Sequence, residues 1–167
     1  MKVNAAKTAM LCMSDTMSYT VAGYIYDAEG NKIQSGETLK VLGFHFSSKP
    51  TMHAHVEALR KRFRRQYWSL YHLGRAGFSE DELARVYQTI MLPVADYCVA
   101  VYHPMLTDEQ DQIIERLQSQ ALKIIYGPYL SYAEMRRRAD ATTLRERRIG
   151  ICDKFAKKCL DLSLIHI

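Results

Sequence analysis

Beyond residue 50 the apolar positions recur at steps of three and four, whereas before it they fall in short clusters divided by polar turns. Val56, Leu59, Phe63, Tyr67 and Leu70 make one such stripe, which predicts a helix over about 51–73 that "GRAGF" then ends. A second helix is predicted from Glu80 through "ARVYQTIM". Pro93, which lacks a backbone donor, is expected to kink or break it before "VADYCVAVYH" continues in apolar fashion. The third, Asp108 to Tyr126, carries Ile113, Ile114, Leu117, Ala121, Leu122 and Ile125 and stops at Gly127-Pro128. A short helix over about 132–138 follows. The last, from Leu144, is expected to turn Cys152, Phe155, Ala156 and Cys159 inward and its arginines and lysines outward.

The starts of these helices are marked. Ser79 with Glu82, Thr107 with Gln110, Ser131 with Glu134 and Thr143 with Glu146 all have capping-box spacing. In each, a hydroxyl can accept from a free backbone N–H while the acid or amide returns the bond.

The first third reads as β. "TAMLCMS" suits a strand, and "YIYDAEGNKIQ" reads as two short strands joined at Glu29-Gly30-Asn31. "TLKVLGFHFSS" reads as the strongest strand, with Leu39, Val41 and Gly43 on one face and Lys40, Leu42 and Phe44 on the other. Both faces are partly apolar, so cover on both sides is expected, and Gly43 suggests a bulge or a close backbone approach. The fold class is therefore α+β: a small antiparallel β region over about 7–47, then an all-α region over about 51–160.

With 167 residues, 48% hydrophobic and 25% charged, the balance is that of an ordinary globular chain. No apolar run approaches a bilayer-spanning length and no signal-peptide pattern opens the chain, so no membrane partner and an intracellular location are expected. The cysteines Cys12, Cys98, Cys152 and Cys159 lie far apart without a C-x-x-C and are expected to be core thiols. "HAH" (His53, His55) lacks carboxylate or cysteine company and reads as a helix start, so no metal ligands are assigned.

Charge changes the picture more. The net +5 gathers in "RKRFRR" (Arg60 to Arg65) and between "RRR" (Arg136 to Arg138) and "KK" (Lys157, Lys158). Composition does not separate two solvated helix faces from a cradle for a polyanion.

Catalytic patterns do not emerge. There is no Gly-rich phosphate loop, H-E-x-x-H or nucleophile elbow. Asp15, Asp27, Asp96, Asp108, Asp111 and Asp153 are scattered through helix or turn contexts. By itself the chain is not expected to be a complete enzyme.

Several fragments, in order, nevertheless resemble the reverse transcriptase of non-LTR (LINE-type) retrotransposons, from just after the catalytic aspartates through the thumb. "VNAAKT" is similar to motif D, and "LKVLGFHFSS" to the strand whose leucine-glycine pair forms the primer grip. His55-Val56, "VYQTIMLPVADYCVAVYHP", "ERLQSQALKIIYGP" and "TTLRERR" follow in the family's order.

The resemblance implies the end of a palm over 1–49, carrying motif D and the primer grip, and a helical thumb over 50–161. Lys7 would be the motif D lysine, lying near the incoming triphosphate as acid or counter-charge. Leu42 and Gly43 would hold the primer 3′ end, the glycine letting backbone approach a sugar-phosphate chain. Arg60, Lys61, Arg64 and Arg65 would track the phosphates of a duplex of RNA template and DNA primer. The Mg²⁺-binding aspartates of the intact parent would precede Met1, so the fragment needs no cofactor of its own and is expected to be inactive alone. The resemblance also implies a nuclear and cytoplasmic ribonucleoprotein location. "LSLIHI" (162–167) matches one frame of a common transposase mosaic-end adapter and is expected to be an adapter-derived tail. Two other readings stay open, a freestanding basic helical module for nucleic acid and a helical protein-interaction scaffold, as do the oligomeric state and the element's clade.

Overall fold

The computed structural model describes residues 8–13, 23–26, 29–49 and 51–165. Lys7 and the last two residues of the tail lie outside them. The chain divides into two compact units, Met1–His55 and Val56–Ile167. The α+β class holds, a small β region followed by a helical one.

In the first unit the central strand is β3 (Lys32–Gly36), flanked by β1 (Met10–Leu11) and β2 (Tyr24–Tyr26). β2 and β3 pair antiparallel with Ile25 opposite Ile33, the arrangement that two short strands about Glu29-Gly30-Asn31 require. β1 instead pairs parallel with β3, so the sheet is mixed rather than purely antiparallel. Gly23 permits the close packing around β1: a Cβ there would come 2.7 Å from Cys12 Sγ.

The stretch expected to be one long strand is a hairpin. β4 (Thr38–Val41) pairs antiparallel with β5 (Phe44–Ser47), and Val41 faces Phe44 across a two-residue turn. Leu42 (φ 49°) and Gly43 (φ 88°) both take left-handed backbone, which matches the right-handed twist of a hairpin and which glycine adopts without steric cost. Gly43 is thus a turn residue, not a bulge within a strand. The turn also reverses the expected facing. β4 is largely exposed rather than covered on both sides, and the buried side chain is Phe44, stacked on His55 at 4.4 Å and edge-on to Phe46 at 4.7 Å.

The second unit is built around α5 (Asp108–Tyr126), which packs against α2 (Glu80–Val86), α6 (Tyr132–Arg138) and α7 (Leu144–Ile165). Ile114, Leu117, Ala121 and Leu122 of α5 are buried as their spacing requires, each large one contributing roughly 1.5–3 kcal/mol. In α1 (His53–Arg75) the stripe of Val56, Leu59, Phe63 and Leu70 is likewise buried. Tyr67 completes it, its hydroxyl donating to the Leu117 carbonyl at 2.8 Å while burial pushes its pKa up.

Pro93 does not break its helix. Tyr87–Met91 is wound as a π-turn, where Leu92 N–H reaches the Tyr87 carbonyl, and α3 (Leu92–Asp96) follows directly with Pro93 in its first turn. The break comes five residues later. Tyr97 is extended and Cys98 left-handed (φ 59°), and α4 (Val99–Tyr102) starts afresh, followed by a 3₁₀ turn, His103–Met105.

The capping signals read from sequence act as expected at Ser79, Thr107 and Thr143, where both halves of the box form. At Ser131 only the hydroxyl half forms, because Glu134 is drawn to Arg137 and Arg138. The inward stripe expected on α7 does not form. Phe155, Ala156 and Cys159 are exposed, and Cys152 is half-buried, because the helix outruns the elements packed against its first turns. None of the four cysteines is fully buried, so the core-thiol reading does not hold.

Candidate nucleic-acid interface

The side of α1 opposite its buried stripe carries Lys61, Arg64, Arg65, Trp68, Tyr71, His72 and Arg75, linked by steps of three and four. All seven are exposed. At 1.5 Å rise per residue they span about 21 Å. Arg60 lies nearer the packed side and bonds Glu57 at 3.0 Å, so part of its charge is already matched. Among the described residues Lys61, Arg64 and Arg65 form no ion pair.

The last turns of α1 add rings to the cations. Trp68 is 67% and Tyr71 53% exposed. The Trp68 and His72 rings lie 4.0 Å apart, His72 meets Tyr71 edge-on at 5.6 Å, and the Arg75 guanidinium sits 5.9 Å over the Tyr71 ring. Arg75 also suits the helix C-terminus, where the backbone dipole favours cations.

The second basic stretch is built differently. Arg147 makes a two-pronged bond to Asp96 at 2.7 and 2.6 Å, which holds the Arg147 pKa above its usual value. Arg148, expected on the outside, is buried at 1% exposure and bonds Asp111. Asp111 is also 3.6 Å from Arg145. Arg136 faces Glu146, Arg137 bonds Glu134 at 2.8 Å, and Arg138 lies between Glu134 and Glu80. All of them but Arg137, whose partner is on its own helix, tie one helix to another. Only the outer lysines of α7, Lys154, Lys157 and Lys158, are exposed and unpaired among the described residues.

A buried polar hub explains why the arginine-rich segment is so fixed. Gln118, fully buried on α5, accepts from Tyr132 Oη (2.7 Å) and from the Leu144 N–H (3.1 Å) and donates to the Thr142 carbonyl (3.0 Å). Glu115 accepts from the Arg145 N–H and lies 2.9 Å from Tyr132 Oη, whose one proton it shares with Gln118. Burial, with the Glu115 carboxylate beside it, pushes the Tyr132 pKa up, so the phenol stays a donor. One glutamine and one glutamate thereby join α5, α6 and the start of α7.

Of the other residues singled out in the sequence, Leu42 and Gly43 occupy the tip of the β4–β5 hairpin, with Leu42 87% exposed. Lys7 lies outside the described residues. Among those described, no group of His, Cys, Asp and Glu side chains could hold a metal ion, and no helix is long and apolar enough to cross a membrane. Compared with protein-family models, curated proteins and solved structures, the chain matches none.

The sequence reading missed Trp68, Tyr71, His72 and Arg75 as partners of the basic run. Their signal was present: extending the run's own steps of three and four past Arg65 reaches each of them. It also missed that Asp96 and Asp111 serve as arginine partners, since those contacts join residues 51 and 37 positions apart.

Proposed function

We propose that this chain is part of a non-LTR retrotransposon reverse transcriptase, an RNA-directed DNA polymerase, and contributes the grip on the template–primer duplex. The observation that carries the binding role is the exposed face of Lys61, Arg64 and Arg65 on α1, which form no ion pair among the described residues, the carboxylate one turn away, Glu57, being bonded to Arg60. Cations held on one rigid helix without internal partners are suited to phosphates, and such contacts are strong, salt-dependent and largely indifferent to sequence. The polymerase assignment rests on the ordered resemblances from "VNAAKT" to "TTLRERR". The Leu42–Gly43 hairpin tip supports it, because an exposed left-handed turn can approach a sugar-phosphate backbone closely.

Nucleotide addition, on this reading, belongs to the intact parent, where aspartates of its other motifs would hold Mg²⁺. Among the described residues no group of side chains could hold that ion. Lys7 would act only beside that complete site.

The test is titration of an RNA/DNA template–primer duplex against the protein at two salt concentrations. Affinity should fall steeply as salt rises. Absence of binding, or indifference to salt, overturns the duplex role and favours a protein-interaction scaffold. Primer extension by the 167-residue protein, with magnesium and deoxynucleotides, would overturn the assignment of catalysis to the parent.

A further inference from the structure

The last turns of α1 are not explained by phosphate binding. Single exposed apolar residues are ordinary on protein surfaces. Trp68, His72 and Tyr71 are not single: their rings touch in sequence, and Trp68 stands one turn from Arg64 and Arg65 on one side and one turn from His72 on the other. Trp, Tyr and Arg are enriched at protein interfaces too, but Lys is depleted there, and here the rings run on into Lys61, Arg64 and Arg65, cations with no ion pair among the described residues. Rings and cations together suit a ligand that is both polyanionic and flat-faced. Unpaired nucleotides have both properties, whereas the bases of a duplex are stacked on one another and their faces are closed to a side chain.

We propose that the C-terminal half of α1 is a stacking platform for unpaired nucleotides: Lys61, Arg64 and Arg65 take the phosphates of a duplex, and Trp68 and Tyr71 take the bases of the single strand that continues from it. The inference rests on the duplex-binding reading above and deepens it, since it makes the ligand a duplex–single-strand junction. His72 backs the indole, and Arg75 sits over the Tyr71 ring within reach of the strand's next phosphate.

Trp68 is the only tryptophan in the chain, so its emission reports this contact alone. The experiment compares a blunt RNA/DNA duplex with the same duplex carrying a single-stranded RNA overhang. Affinities are read by anisotropy of the labelled nucleic acid. The overhang should tighten binding about tenfold, the typical gain from a base stacked on an aromatic side chain, and should quench the indole. The blunt duplex should bind with little quenching. Trp68→Ala should abolish the overhang's advantage and leave blunt-duplex affinity unchanged. Trp68→Phe should restore most of that advantage, and circular dichroism should show both variants as helical as the parent.

Equal affinity for the two ligands, or an overhang advantage that survives in Trp68→Ala, overturns the platform while leaving duplex binding standing. Failure of both ligands to bind overturns both readings. Quenching that grows with protein concentration in the absence of nucleic acid would mean that a second copy covers the indole, and would also overturn the proposal.

Discussion

Two stretches of this chain are rich in arginine and put their charge to opposite uses. On α1, Lys61, Arg64 and Arg65 project from one exposed face and form no ion pair among the described residues, the neighbouring Glu57 being taken by Arg60. Between α6 and the start of α7, each arginine from Arg136 to Arg148 is matched to a carboxylate on its own or another helix. Positive charge counted along a sequence is therefore a poor guide to binding. What matters is which cations the fold leaves unmatched, and that depends on where its acids fall.

The contrast can be broken most severely at Asp111. Removing it by Asp111→Ala leaves Arg148 buried without its counter-charge, and should cost about 3–5 kcal/mol, read as a lowered urea midpoint. A loss below about 1 kcal/mol would show that the buried guanidinium is satisfied in another way. Gln118→Ala comes next. It strands the Leu144 N–H and the Thr142 carbonyl, while Tyr132 Oη keeps Glu115, at a cost of about 1–3 kcal/mol by the same readout.

The α1 cations should behave in the opposite manner. Changing Arg60, Lys61, Arg64 and Arg65 to Gln should alter stability by no more than about 0.5 kcal/mol, as is usual for surface positions. Equal losses of helicity and binding would instead make the run structural.

A smaller effect sharpens the picture near Arg148. Burial, followed by the Arg148 charge, holds the His103 pKa below its ordinary value. The unfolded chain therefore takes up the His103 proton first as pH falls. Stability from this group is fully present above the unfolded value of about 6.5, and is lost as pH falls toward the lower folded value. In His103→Gln the slope of urea midpoint against pH in that window should flatten. An unchanged slope would assign it to another group.

Much of the architecture was legible because it is local. Helix bounds at Asp108–Tyr126 and Tyr132–Arg138 follow from periodicity and punctuation within a few residues, and three capping boxes form in full. The errors share a different cause. The Leu42–Gly43 turn was concealed because leucine rarely takes left-handed backbone, so the apolar run looked continuous. Pro93 was absorbed by a π-turn that periodicity does not announce. Phe155, Ala156 and Cys159 have the spacing of a buried stripe, but burial needs a neighbour, and the packed elements end before them. The same holds for the interface. The cations were visible as a run, while their partners, Asp96 and Asp111, became visible only once the helices were placed.

The most direct test of the account is the dependence of template–primer affinity on salt in three proteins: the parent, the α1 variant with Lys61, Arg64 and Arg65 changed to Gln, and an α7 variant with Lys154, Lys157 and Lys158 changed to Gln. Each phosphate contact contributes about 0.9 to the slope of log affinity against log salt, as for a B-form duplex, so the α1 variant should be shallower by about three and the α7 variant nearly unchanged. A slope that flattens in the α7 variant while the α1 variant keeps the parent's would contradict the claim that α1 holds the nucleic acid.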